Sequence, residues 1–124
     1  MSVVSLLYWV YLTNAVLLIV HEIDSAYWKE WELFRLLEGI SFFLLVNLPL
    51  VALILHGLTE ISSGSTLGTI LSTLLALGGL FAFTVHTYLI RKGNDQFKTT
   101  TSQAILVATL TTSLVQLFLT LKSQ

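Results

Sequence analysis

The chain has 124 residues, enough for one domain. It is 55% hydrophobic and only 10% charged, against about 25% charged in an ordinary soluble domain. A net charge of -1 with no basic run excludes a nucleic-acid partner, and the lack of cysteine excludes disulfides, thiolate catalysis and Cys-ligated metals.

The charged residues cluster and leave four charge-free stretches: Met1 to His21, Gly39 to Thr59, Ile61 to Ile90, and Thr99 to Leu121. About 20 apolar residues of helix cross a bilayer core roughly 30 Å thick, and each stretch reaches that length. In water such a bundle would expose large apolar patches. The sequence therefore reads as an all-α integral membrane four-helix bundle, one domain over residues 1–124, with spans at 3–21, 39–58, 67–90 and 102–121. The first stretch has no basic n-region and no small-residue cleavage site after Val20, so it reads as a retained span and not a signal peptide. Lys29, Arg35, Arg91, Lys92 and Lys98 fall in the first and third loops, and Lys122 alone lies opposite. The positive-inside rule then places those two loops in the cytoplasm and both termini outside.

Span one ends on His21. Asn14 and His21 share one helical face, which Asp24 and Trp28 extend. The segment 21–37 is rich in helix formers and contains no proline or glycine. It reads as a helical first loop, either continuing span one or lying along the membrane surface. Glu22, Ser25, Lys29 and Glu32 would share one face and Tyr27, Trp31 and Phe34 another. Tyr27, Trp28 and Trp31 fit an aromatic anchor at headgroup level.

Glu38 opens span two near the level of His21, and Asn47 and Pro49 lie close to the middle of that span. Pro49 removes a backbone donor and is expected to kink the helix. The Asn47 amide needs a partner from another helix or a ligand. In span three Gly68, Ser72, Ala76, Gly79, Ala82 and His86 recur at steps of three or four. That small-residue face allows close helix approach and aims His86 into the bundle. Thr109, Thr112, Ser113, Gln116 and Thr120 give span four a polar face, suited to interhelical hydrogen bonds or to a cavity wall.

Ionisable groups at membrane depth are costly and mark functional sites. At 1.5 Å per residue His86 lies roughly 12 Å from the middle of span three, on the side where span one ends on His21. A cluster of His21, Asp24 and His86, joined by Glu22 or Glu38, follows; His56 sits near the opposite surface. Such a cluster suits three roles: an ion-pair network that fixes packing, proton transfer, or metal ligation with His21 and Asp24 at i, i+3. The candidate acid–base groups are His21, Asp24, His86 and Glu22. The candidate ligand contacts are Asn14, Asn47, Trp28 and Glu38.

The run from His21 to Phe34 (HEIDSAYWKEWELF) resembles the signature of a family of small bacterial membrane proteins of unassigned function. The Asn47-Leu48-Pro49-Leu50 stretch is similar to one in that family, as are Phe81, Phe83 and His86 ahead of Arg91 and Lys92. Where the family often has a Pro-Gly-Gly turn, this chain has Leu37-Glu38-Gly39. The resemblance implies a bacterial inner membrane and no particular activity. A looser, architectural likeness links the chain to sterol isomerase-type proteins, where aromatic rings stabilise cationic intermediates; Tyr8, Trp9, Tyr11, Trp28 and Trp31 would be the counterparts. Three functions follow as expectations. They are an accessory or binding subunit docked on a membrane-protein partner or a second copy, an acid–base enzyme (isomerase, cyclase or hydrolase type) on a lipid-like substrate, and a metal or tetrapyrrole binder using buried histidines.

Overall fold

A computed structural model describes residues 1–35 and 39–124. Among these residues the secondary structure is helical throughout, in the order α1 (Val3–Tyr27), α2 (Glu30–Leu33), α3 (Gly39–Ser62), α4 (Thr66–Arg91) and α5 (Thr100–Lys122). All but α2 are long and apolar enough to cross a membrane. The chain is an all-α four-helix bundle of membrane type. Backbone polar groups in lipid must be satisfied within the segment, which only a helix does for a single span. Side-chain oxygens begin three of the helices: Ser2 accepts from the Ser5 amide, Ser65 from Gly68 and Thr99 from Ser102, at 3.0–3.1 Å.

The helices pack in the cyclic order α1–α3–α4–α5. Helices α1 and α4 also touch across the middle, whereas α3 and α5 do not meet among the described residues. A buried polar network joins α1, α4 and α5. The Asn14 amide donates to Ser113 Oγ at 3.0 Å and to Gln116 Oε1 at 2.8 Å. Gln116 Nε2 donates to the Ser72 carbonyl at 2.8 Å, and the Ser72 and Thr120 hydroxyls share a 2.7 Å hydrogen bond. The expected small-residue face of α4 and polar face of α5 are therefore both used inside the bundle: Ser72, Ala76, Gly79, Ala82 and His86 are buried, as are Thr109, Ser113, Gln116 and Thr120.

Helix α3 is the outer wall and buries only Ile54, Gly57 and Ile61. It is pinned where Tyr11 Oη donates to the Ile54 carbonyl at 2.7 Å, with the Tyr11 ring against Gly57. It runs through Pro49, and the Asn47 amide donates back to the Phe43 carbonyl at 3.0 Å. The expectation of one helical segment over 21–37 is revised. Helix α1 stops at Tyr27, and Lys29 takes a left-handed conformation (φ 52°, ψ 56°) that turns the chain before α2.

Adjacent glycines give opposite expectations. A Cβ at Gly79 would strike Ser113 Oγ and approach Thr109 Cγ2 at 3.1 Å, while one at Gly78 meets nothing within 4 Å. Gly79→Ala should cost about 1–3 kcal/mol. Gly78→Ala should be neutral or gain up to about 1 kcal/mol from helix propensity. Thermal unfolding of both variants in one detergent checks the pair.

Candidate functional site

The turn at Lys29 folds Glu30 back beneath the bundle end that carries the α1–α3 and α4–α5 connections. Glu30 Oε1 comes to 3.0 Å from His86 Nε2. Both histidines are only 3% exposed, so this polar cluster is built into the protein and does not hang at its surface. The His86 tautomer follows from its other nitrogen: Nδ1 lies 2.7 Å from the Ala82 carbonyl oxygen, which can only accept. Nδ1 carries the proton, and Nε2 faces Glu30. The carboxylate stands at ion-pair distance but out of hydrogen-bond alignment, so Nε2 has no aligned partner among the described residues.

His21 packs edge-on against His86, their ring centroids 4.6 Å apart. Its Nε2 is 3.5 Å from Ser25 Oγ, and its Nδ1 is buried with no hydrogen-bond partner among the described residues. Ser25 also reaches the Glu30 carboxyl. Burial alone would raise the pKa of Glu30. The close contact and charge of His86, with Ser25 and His21 behind it, outweigh burial and hold Glu30 below the ordinary carboxylate value.

Phe97, from the α4–α5 connection, caps the cluster. Its ring lies 4.3 Å from that of His86 and 5.6 Å from that of His21, and the residue is 1% exposed. Phe97 adopts a left-handed backbone (φ 64°) to reach this position. That conformation costs a non-glycine residue about 1–2 kcal/mol.

Away from Phe97 the cluster faces a cavity of about 280 Å³ between α1, α3 and α4. Leu18, Leu53, Leu74, Leu75 and Phe81 are among its apolar walls. Among the described residues its titratable lining is Tyr11, bonded to Ile54, together with His21, Glu22, Glu30 and His86 at the connection end. The cavity exists because α3 is held at Ile54 and Gly57 but buries nothing in its preceding half among the described residues.

Of the residues singled out in the sequence, His21, Glu22 and His86 thus meet at one cavity. Asp24 does not line it; its Oδ1 accepts from Trp28 Nε1 at 3.0 Å, which accounts for Trp28 as well. Asn14 belongs to the α1–α5 network. Asn47 reaches the Glu22 carboxyl and stands beside the site. Glu38 lies outside the described residues. His56 pairs with Glu60 at 3.2 Å in the last turns of α3, far from the cluster. Glu30 and Phe97 were missed. The two imidazoles are in edge-on contact and do not face each other across a gap.

The fold and cluster define a class: a membrane-type four-helix bundle with a histidine–carboxylate group at one end of an apolar cavity. The model of a family described as "Family of unknown function (DUF6713)" matches residues 7–123, and the chain belongs to that family. No curated protein and no solved structure matches the chain.

Two tests bear on this geometry. Phe97→Ala should cost about 3–5 kcal/mol and expose both imidazoles to diethylpyrocarbonate, whereas Phe97→Leu should cost under about 1.5 kcal/mol. Mass mapping of modified His21 and His86 reads the difference. Because the folded pKa of Glu30 lies below its reference value of 4.5, its contribution to stability is complete above that pH and is lost as pH falls through the lower folded value. Glu30→Gln should remove that acid-range loss in denaturation curves recorded at successive pH values.

Proposed function

We propose that this protein binds an amphipathic, lipid-like molecule in the α1–α3–α4 cavity and moves a proton at the molecule's polar end. One observation carries the reading: an apolar cavity whose charged lining, among the described residues, gathers at one end as His21, Glu22, Glu30 and His86. An amphiphile has the matching distribution, an apolar body with one polar group. Ligand sites are commonly apolar pockets with a few convergent polar groups. Histidine and carboxylate held together out of water are suited to general acid–base work.

In this reading His86 Nε2 and Glu30 exchange the proton, with the His86 ring oriented by its Ala82 hydrogen bond. Glu22 borders the same space from α1. Phe97 keeps water from the histidines. The basic residues of the two connections support placing this end of the bundle on the cytoplasmic face of a plasma membrane, and the family resemblance supports a bacterial one. The reading is preferred to an accessory subunit because the small-residue face of α4 and the polar face of α5 are used inside the bundle.

Photolabelling in nanodiscs tests it. A diazirine fatty acid and a diazirine sterol are the two probes, and saturable labelling is expected on the buried lining residues Leu18, Ile54 or Leu75. Gly78→Leu, which adds a side chain to a lining position, should abolish the saturable fraction. Glu30→Gln and His86→Ala should retain labelling but stop deuterium uptake from D2O into the bound amphiphile. Labelling confined to lipid-facing positions such as Leu44, Leu45 and Leu48, and unchanged by Gly78→Leu, would sink the proposal.

A further inference from the structure

We infer that His21, Glu30 and His86 form a binding site for a divalent transition metal, of the zinc type. This deepens the reading above by naming what occupies the polar end of the cavity. One ring nitrogen from each histidine and one Glu30 oxygen all lie within 4.8 Å of one another. Around a tetrahedral ion with bonds of about 2.0–2.1 Å, donors sit about 3.3 Å apart. The His86–Glu30 edge, at 3.0 Å, already has that spacing, and a small movement of His21 closes the triangle.

The second observation is independent of the spacing. Each histidine presents a buried ring nitrogen, Nδ1 of His21 and Nε2 of His86, with no hydrogen-bond partner among the described residues. Leaving such a group unpaired costs about 1–3 kcal/mol, and each of the two rings has a nitrogen near the Glu30 carboxylate. A cation satisfies all three donors together. The outer shell is of the kind ligating histidines use. The His86 Nδ1–H is held by the Ala82 carbonyl, and the Nε2 of His21 is beside Ser25 Oγ, which leaves the opposite nitrogens for the metal. Phe97 supplies the apolar cover.

The donor set selects the ion. Two imidazoles and one carboxylate suit zinc and its first-row neighbours, whereas calcium and magnesium take oxygen ligands. Three protein ligands leave a coordination position open, as in reactive rather than structural zinc sites. All three ligands and Glu22 line the cavity, so a fourth ligand would reach the ion from there. With the ion bound, the His86–Glu30 pair no longer exchanges a proton and Glu22 takes that part, while the polar group of a bound amphiphile would be the fourth ligand.

The test uses full-length protein in detergent with no added amphiphile, stripped with a chelator and titrated with Zn2+ and, separately, Co2+. One equivalent of zinc should bind, and cobalt should develop the visible absorption of four-coordinate nitrogen–oxygen ligation. His21→Ala, Glu30→Gln and His86→Ala should each weaken binding by at least about 10–100-fold, while Asp24→Asn and His56→Ala keep it. Zinc should raise the Tm of the wild type but not that of Glu30→Gln, a nearly isosteric change. The inference is overturned if stripped wild type takes up less than one equivalent, or if a folded Glu30→Gln or His86→Ala variant binds as tightly as wild type. Metal uptake without saturable photolabelling would defeat the amphiphile reading alone. Photolabelling of metal-free protein that takes up no zinc would defeat this inference alone.

Discussion

The network of Asn14, Ser72, Ser113, Gln116 and Thr120 governs the rest of the structure. Lipid offers no partner to an amide or hydroxyl, so these side chains must find one another. By doing so they draw α1, α4 and α5 together along one seam. Gly79 permits the close approach, since its missing side chain leaves room for Ser113. The three helices become a unit with its polar groups turned inward, and α3 is left to pack on its outside.

That division of labour produces the cavity. Helix α3 is held to the core by the Tyr11–Ile54 hydrogen bond, and its buried residues lie in its second half. The opposing walls are Leu, Phe and Ala side chains that pack without directional bonds. An internal network therefore serves function indirectly: it consumes the polar residues of three helices and leaves an apolar space under the fourth. The same division leaves the histidines at one end of that space, where α1 and α4 converge near the connections.

The cluster itself depends on two left-handed residues outside the long helices. Lys29 turns the chain so that Glu30 returns to His86, and Phe97 turns its ring over both imidazoles. Strained backbone of this kind persists where the surrounding structure over-determines it and collects at functional sites. The cost at each position is offset by burial of Phe97 on one side and by the Glu30–His86 contact on the other. The acidic and aromatic covers thus come from opposite connections and meet at one pair of histidines.

The four spans were legible in the sequence because hydropathy acts residue by residue and needs no partner. So was the inward direction of His86, since the small residues of α4 repeat at helical steps from Gly68 onward. The shared level of His21 and His86 followed from rise per residue and alternating direction. Glu30 was not legible. On a continuous helix nine residues make two and a half turns, which sets Glu30 on the face opposite His21; only the break at Lys29 brings them together. A Lys in left-handed conformation leaves no mark in composition or periodicity. Asp24 illustrates the converse, sharing a face with His21 in sequence yet taken by Trp28 in the fold. Placement in the membrane is a property of segments, and the sequence alone determined it. The pairing of side chains across connections depends on how helices close on one another, and only the tertiary structure decided it.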